Sequence, residues 1–450
     1  MKIFGITLET SRLYNLNKRS RSSVTVGETT RATWQLLSHL PAGGGGDSDG
    51  VSGGGGAADQ CESSAGEGSA NSANTHTHTR LSGRSEKVAV SLHTGRIKSW
   101  LRGKEFKGRQ SHPPEEMSSD FPYAIEPLEE KENDAIRKDF TGYLSGAVRV
   151  QPQGYFFQGI YRQYAHRYYN LSLRPTDVFV ASYPKSGTTW TQELVWLLIH
   201  NLDYEGAKVP LDDRFPFVEA DHVLDALVFQ RPELKAKMKS TPEPGERLAQ
   251  VTKLEDPRCI KTHMPFSLLP PKILDTCKVI YVARDPRDVV VSYYHHHRMW
   301  ITHGFQGDFR AFFDYFLKDQ VMWSPFWDHL REAWERRSHP NLLILTYDQL
   351  KEDLPAVIRK VAGFLGKEVS QEEIENLTKH LHFDSMKSNP AVNAVAEAST
   401  GLLDLKEGGF VRKGKSGGWK DYFEEDMKER FHAWMAEKGG SLPKEFKWMK

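Results

Sequence analysis

A short loop in the middle of the chain, YPKSGTTW at 183–190, combines the residue types that bind an anion. Gly187 lets the backbone approach a ligand closely, and Lys185 supplies a positive charge. The hydroxyl side chains of the loop are Ser186, Thr188 and Thr189. If a helix begins directly after the loop, its free amides and its dipole face the same ligand. The loop therefore predicts a phosphate cradle; the alternative is that a hydroxyl only caps the helix and the glycine only turns the chain.

The order of residues separates this loop from a Walker A motif. That motif places its lysine after its second glycine, whereas Lys185 precedes Gly187, the single glycine of the loop. Ordinary ATP hydrolysis is therefore not the expected chemistry.

Two further segments could act beside such a phosphate. His263 lies in KTHMP at 261–265, and a neutral imidazole, with an ordinary pKa near ~6.5, can accept a proton around neutral pH. Arg284 and Ser292 could together recognise a terminal phosphate, because an arginine fork and a hydroxyl both donate hydrogen bonds to it. A single histidine is more often a packed or exposed residue, so these roles depend on the residues meeting at one site.

Three apolar runs predict the strands that position these loops. The runs at 177–182, 278–283 and 341–346 are short and nearly continuous, as in strands buried on both faces of a parallel sheet. Helical sequence follows each run, at 190–202, 286–300 and 353–366. The alternation predicts an α/β fold with a central parallel sheet flanked by helices, and a ligand site at the carboxyl ends of the strands.

Composition divides the 450-residue chain into two parts. Residues 41–60 read PAGGGGDSDGVSGGGGAADQ, and 1–117 show no sustained helix or strand periodicity. Such a segment buries too little apolar surface to offset its ordering entropy, so we predict a disordered Gly/Ser-rich extension over 1–117. Aromatic and apolar residues become dense from Phe121. We therefore predict one folded domain over 118–450.

Net charge and cysteine usage exclude several classes of function. Sixty Lys and Arg against 59 Asp and Glu give a net charge of +1, so no global basic field points to nucleic acid. Cys61, Cys259 and Cys277 form no CxxC pair, which favours a reducing compartment, the cytoplasm. No apolar run reaches the ~20 residues that cross a bilayer, so we expect no membrane partner. The histidines of YYHHHR at 293–298 point in different directions on a helix, and we expect no metal site.

Four segments, in order along the chain, resemble the motifs of the cytosolic sulfotransferases, including arthropod-type members. The loop at 183–190 is similar to the family's 5′-phosphosulfate loop, and 261–265 is similar to its KTH segment. Residues 284–294 resemble its 3′-phosphate segment, and RKGKSGGWK at 412–420 resembles its C-terminal RKGxxGDWK. The resemblance covers about 118–450. It implies a P-loop-like sulfotransferase fold, the sulfuryl donor 3′-phosphoadenosine 5′-phosphosulfate (PAPS), its product PAP, and no required metal.

The resemblance also implies a role for each matching residue. His263 would be the catalytic base, Lys185 and Lys261 would face the leaving group, and Ser292 would hold the 3′-phosphate with Arg284. Further contacts to the donor would come from Ser186, Gly187, Thr188, Thr189, Trp190, Tyr347, Phe383, Arg412, Lys413 and Gly414.

Three departures from the family pattern limit this comparison. Leu381-His382 replaces the Thr-Ser that precedes Phe383 in vertebrate-type members, which removes two hydroxyl contacts and makes His382 a candidate replacement. Gly418 replaces the Asp of GDWK, which puts the local turn in doubt. Glu424-Glu425 replaces Thr-Val in the family's dimer segment. Carboxylates at a two-fold contact repel their symmetry mates, so we predict a monomer or a weak dimer.

The expected function is transfer of the sulfuryl group from PAPS to a hydroxyl or amine of a small apolar acceptor. We expect the acceptor pocket to draw on 215–222, 231–248 and 391–410; phenols, steroids, catecholamines and retinol-like alcohols are all open. The alternatives are a non-catalytic PAPS-binding or nucleotide-binding protein and a nucleotide-dependent kinase. The joint presence of Lys185, His263 and Ser292 favours catalysis, because a binding protein needs no base.

Overall fold

The structure is a computed structural model that describes residues 121–224, 231–232, 245–404, 406, 409–411, 414, 416–440, 446 and 448. All of them belong to one unit, Lys104–Lys450. The predicted extension over 1–117 and the domain boundary at 118 lie outside the described residues, as do Arg412 and Lys413.

The described strands form two sheets. An antiparallel sheet contains β1 Ile125–Pro127, β2 Ala147–Val150 and β3 Tyr155–Gln158 in the order β1-β2-β3. A parallel sheet contains β4 Val178–Ala181, β5 Cys259–Thr262, β6 Lys278–Ala283 and β7 Leu342–Thr346 in the order β5-β4-β6-β7. The predicted α/β class and the three predicted parallel strands are confirmed, and β5 is a fourth strand at the edge.

Helices follow the strands of the parallel sheet and cover its faces. The helices predicted over 190–202, 286–300 and 353–366 are confirmed as α3, α7 and α11. The bounds are α1 Glu130–Asp139, α2 Ala165–Tyr169, α3 Thr188–Ile199, α4 Leu211–Arg214, α5 Glu246–Lys253, α6 Ile273–Thr276, α7 Pro286–Met299, α8 Phe309–Leu317, α9 Phe326–Glu335, α10 Tyr347–Glu352, α11 Leu354–Leu365, α12 Gln371–His380, α13 Phe383–Ser388, α14 Val395–Thr400 and α15 Glu425–Gly439.

The central strand β4 is apolar at every position because each face of the parallel sheet packs against its own core. Along β4, Phe179 and Ala181 join one buried cluster, and Val178 and Val180 join another. Successive strand side chains point to opposite faces. A strand covered on both sides therefore reads as a continuous apolar run rather than an alternating one.

Two further features concern the cysteines and the helices of the described part. Cys259 and Cys277 are buried free thiols. Among the helices that the structure describes, none has the length and apolar character to span a bilayer.

Candidate active site

The loop after β4 curls back on itself before α3 begins at Thr188. Lys185 has φ +67° and Gly187 has φ +110°, both in the left-handed region. A Cβ at Gly187 would lie 2.9 Å from Cδ2 of Tyr347, so the position requires glycine for its backbone angle and for its close packing. The hydroxyls of Ser182 and Thr188 lie 2.6 Å apart and join the two ends of the loop. The first turn of α3 therefore opens directly onto the loop, as an anion cradle requires.

Arg284 ties together the ends of three neighbouring strands. It lies just after β6, and its Nη1 donates to the carbonyl of Lys185 in the loop after β4 (3.0 Å). Its guanidinium carbon lies 4.2 Å from the ring centre of Tyr347, the residue that follows β7. Since parallel strands end at the same edge of the sheet, residues far apart in sequence meet here.

His263 follows β5, and its ring is held in one tautomer. Nδ1 lies 2.8 Å from the carbonyl oxygen of Ser182, which can only accept, so Nδ1 carries the proton and Nε2 keeps the lone pair. The rings of Phe217 and Trp323 pack against the imidazole at 5.2 and 5.4 Å between centres. Burial, and then the charge of Lys261, hold the pKa of His263 well below its usual value. The imidazole is therefore neutral at physiological pH.

A cavity of about 500 Å³ opens at this edge of the sheet. It brings together most of the site residues predicted from sequence: Lys185, Gly187, Thr188, Thr189, Trp190, Lys261, His263, Arg284, Ser292, Tyr347, Phe383 and Gly414. Ser186 lies behind the wall; it is 1% exposed, and its hydroxyl has no hydrogen-bond partner among the described residues. Arg412 and Lys413 are not described.

One wall of the cavity is aromatic. The rings of Trp190 and Tyr347 meet edge to face at 5.9 Å. Gly414 has φ +58°, and a Cβ there would lie 2.2 Å from the ring of Phe383, so the loop backbone lies directly on that ring. His382 does not replace the missing hydroxyls: its side chain is 66% exposed and does not line the cavity.

The turn at Gly418 forms without the family's aspartate. Asp288 of α7 accepts hydrogen bonds from the backbone amides of Gly417 (2.8 Å) and Trp419 (3.2 Å). Arg287 lies over the indole of Trp419 at 4.8 Å. The carboxylate that holds this turn therefore comes from α7, and the doubt that Gly418 raised about the turn is removed.

Sequence reasoning found only part of the cavity wall. The expected segments 215–222 and 391–410 do contribute, through Phe217, Ala220 and Phe410 among others, whereas most of 231–248 lies outside the described residues. The lining residues that were missed include His296, Trp300, Thr302, His303 and Trp323. Each carries a buried nitrogen or oxygen with no hydrogen-bond partner in the described part of the chain. From sequence, the histidine run at 295–297 was considered only for metal binding.

The three histidines of that run do point in different directions. His295 meets the hydroxyl of Tyr422 at 2.8 Å, and His297 donates from Nδ1 to the carbonyl of Tyr293 at 3.0 Å. Burial holds the pKa of His296 well below its usual value. Across the described residues, no group of three His, Cys, Asp or Glu is placed to hold a metal ion.

These features fit a ligand that carries phosphate or sulfate groups on an aromatic base. The cations of Lys185, Lys261 and Arg284 and the first turn of α3 suit the anionic groups. Gly187 and Gly414 let the backbone lie close against the rings of Tyr347 and Phe383, where an added Cβ would be 2.9 and 2.2 Å from those rings. An α/β sheet with such a cradle and a neutral histidine defines a group-transfer enzyme that uses a phosphorylated nucleotide.

The comparisons with known proteins specify the family. The sulfotransferase domain matches residues 175–443, and the chain belongs to that family. It is 41% identical over 286 residues to the luciferin sulfotransferase of Photinus pyralis, covering 61% of this chain and 74% of the relative. It is 35% identical to sulfotransferase 1 family member D1 of Rattus norvegicus, covering 58% and 83%.

Solved structures agree with this assignment. Retinol dehydratase in complex with androsterone and the inactive cofactor PAP is 36% identical, with a TM-score of 0.66 and coverage of 71% of this chain and 96% of that one. The same enzyme with retinol and PAP gives a TM-score of 0.65 at 36% identity, covering 71% and 97%. The protein is therefore a PAPS-dependent sulfotransferase, as the resemblance implied.

Proposed function

We propose that this sulfotransferase acts on the hydroxyl of a small, elongated and largely apolar acceptor, with His263 as the general base. The observation that supports the proposal most is the state of the His263 ring. It is neutral, its proton is fixed on Nδ1 by Ser182, and it lines the same cavity as Lys185 and Lys261. A base must be unprotonated and within reach of the proton that it accepts.

In this mechanism the bound donor supplies the sulfuryl group that the acceptor oxygen attacks. Nε2 of His263 takes the proton of the acceptor hydroxyl. Lys185 and Lys261 stabilise the negative charge that grows on the leaving phosphate. Their ammonium groups lie 4.4 Å from the ring centres of Phe410 and Phe217, respectively. Such apolar surroundings strengthen the field of each cation in the cavity.

We assign the donor contacts to two groups of residues. The loop amides with Ser186, Thr188 and Thr189 would hold the 5′-phosphosulfate, and Arg284, Ser292, Arg412, Lys413 and Gly414 would hold the 3′-phosphate. The rings of Trp190, Tyr347 and Phe383 would stack around the adenine, since aromatic faces bind a base by apolar burial.

The acceptor site combines apolar walls with a few polar atoms. Phe217, Val223, Leu224, Met299 and Leu402 give the cavity its apolar lining. Thr302 and His303 add a buried hydroxyl oxygen and a buried ring nitrogen that have no hydrogen-bond partner among the described residues. Burial lowers the pKa of His303 to about 3, so its ring is neutral. An acceptor of the kind that retinol dehydratase binds, a retinoid or a steroid, has the apolar body that these walls suit.

Two further proposals concern the cell. We place the enzyme in the cytoplasm, because Cys259 and Cys277 are free thiols. We also propose a monomer or a weak dimer. Glu424 and Glu425 stand where the family's dimer segment carries the uncharged pair Thr-Val, although Arg310 pairs with Glu424 at 2.5 Å and reduces the repulsion.

The test is transfer of label from [³⁵S]PAPS to a panel of retinoid, steroid and phenol acceptors, with variants assayed beside the natural chain. His263→Ala should lower turnover by roughly 10²- to 10⁴-fold, the usual contribution of a general base, without loss of PAP binding. His382→Ala is the matched control, because this histidine is exposed and lies outside the cavity wall.

Two results would contradict these assignments. If no acceptor is labelled while PAP binds tightly, the protein is a binding protein that keeps the fold. If His263→Ala turns over as fast as His382→Ala, the base has been assigned to the wrong residue.

A further inference from the structure

A buried carboxyl group lies directly behind the segment that carries His263. Glu219 is 0% exposed. It lies in a turn directly after Phe217, which forms an isolated bridge with Lys261 of β5: the amide of Lys261 donates to Pro216 (2.9 Å), and the amide of Val218 donates to Lys261 (3.1 Å). This bridge places the stretch 216–219 beside the edge strand, at the point where β5 ends.

One oxygen of Glu219 gathers three donors from three consecutive residues. Oε1 accepts from the amides of His263 (3.1 Å) and Met264 (3.0 Å) and from the hydroxyl of Thr262. The other oxygen, Oε2, is buried with no hydrogen-bond partner among the described residues. Burying a carboxyl group with one unsatisfied oxygen is costly. The arrangement is therefore not explained by stability alone.

The three bonds to Oε1 hold the backbone at His263 through its amide. Ser182 holds Nδ1, and Nε2 of His329 donates to the carbonyl of His263 at 2.9 Å. With Glu219 on the amide, the amide, the carbonyl and the side chain of His263 each have a fixed partner. The remaining freedom of the imidazole is small, so the direction of Nε2 is set before the acceptor binds.

The same stretch also supplies the ring that packs on His263. Phe217 and Glu219 are two residues apart, and both contact His263. The Phe217 ring meets the imidazole edge to face at 5.2 Å, and the carboxyl of Glu219 holds the backbone below. Any shift of Glu219 would move both contacts together.

We propose that Glu219 is a positioning residue that acts through His263, an inference that rests on His263 being the base. Its function is to hold Thr262, His263 and Met264 so that Nε2 points into the cavity. Oε1 accepts the same bonds whether or not Oε2 carries a proton, and burial raises the pKa of this carboxyl to about 7. The hydrogen bonds that Oε1 accepts, rather than the charge of the carboxyl group, therefore position His263.

The test compares Glu219→Leu with Glu219→Gln, which keeps an oxygen at Oε1. A displacement of about 1 Å at a reacting group can cost ~10²-fold in rate. We expect Glu219→Leu to lower kcat by about that factor with the Kd for PAP unchanged, and Glu219→Gln to stay within ~10-fold of the natural enzyme. Glu332→Leu is the matched control, since this buried carboxyl also accepts three hydrogen bonds, from Tyr155 and Ser267, away from the cavity.

A double-mutant cycle with His263→Ala decides the mechanism. If Glu219 acts only through His263, adding Glu219→Leu to His263→Ala lowers the residual rate no further. Should Glu219→Leu not fold, Thr262→Val, which removes one donor, takes its place in the cycle.

Other outcomes overturn the assignment. A structural role for Glu219 would follow if the rate losses of Glu219→Leu and His263→Ala multiply in the double variant. It would also follow if Glu219→Leu loses as much PAP affinity as Glu332→Leu does. Full turnover in His263→Ala alone would instead overturn the base assignment, so the two failures are distinguishable.

Discussion

Substitution of Gly187 by alanine should weaken donor binding by more than a general loss of stability would explain. A non-glycine residue in the left-handed region costs ~1–2 kcal/mol, and Gly187 has φ +110°. The new Cβ would also lie 2.9 Å from Tyr347, an overpacking that costs ~1–3 kcal/mol. The sum is about 2–5 kcal/mol. Since ~1.4 kcal/mol is a factor of ten, a loop that rearranges to relieve this strain would bind PAP roughly 30- to 4000-fold more weakly.

The assay is calorimetric titration with PAP together with thermal unfolding of each variant. Two control glycines separate the causes. Gly401 has φ +81° and nothing within 4 Å of its added Cβ, so Gly401→Ala carries the backbone cost without the contact. Gly363 lies within α11 with nothing within 4 Å, so Gly363→Ala should leave the Kd for PAP unchanged and raise Tm slightly, since alanine is the better helix former. We expect Gly401→Ala to lower Tm slightly and leave the Kd for PAP unchanged.

The reasoning would be refuted by either of two results. PAP binding by Gly187→Ala within twofold of the natural chain would show that the loop conformation does not depend on glycine. An equal loss of PAP affinity in Gly187→Ala and Gly401→Ala would show that the contact with Tyr347 is not the cause.

Two other predictions follow from the charges of the described residues. Because the pKa of His263 is held below its usual ~6.5, kcat/KM for an alcohol acceptor should stay constant as pH falls from 8 to about 6.5 and should decline only below that. Lys261→Met removes a charge that lowers this pKa, so the decline should move to higher pH. An unchanged pH profile in Lys261→Met would contradict the assignment of His263 as the base. The natural chain should behave as a monomer or weak dimer in light scattering, whereas the double variant Glu424→Thr/Glu425→Val should associate more strongly. A stable dimer of the natural chain that the double substitution does not strengthen would show association through another surface.

The local features of the site were predictable because their physical causes are local. Residues 183–190 contain the lysine, the glycine and the hydroxyls within one turn, and the apolar runs of β4, β6 and β7 identify buried parallel strands. β5 was not predicted as a strand because Arg258 and Lys261 interrupt its apolar pattern. The antiparallel sheet β1–β3 was missed because a charged residue interrupts two of its short strands: β1 reads IEP and β2 reads AVRV.

His382, the candidate replacement, lies outside the cavity wall for a reason that sequence does not contain. Whether a residue beside Phe383 faces the cavity depends on where α13 begins. The helix starts at Phe383, and His382 turns outward at its N-cap position.

By itself, the sequence determined the chemistry available to this protein: an anion-binding loop, a histidine with the family's KTH context, and strands that alternate with helices. Only the tertiary structure decided how that chemistry is arranged. The tautomer of His263 depends on the carbonyl of Ser182, 81 residues away, and its backbone depends on Glu219, 44 residues away. Hydrogen bonds of this kind follow from the packing of β5 beside β4, and no local pattern records which strands become neighbours.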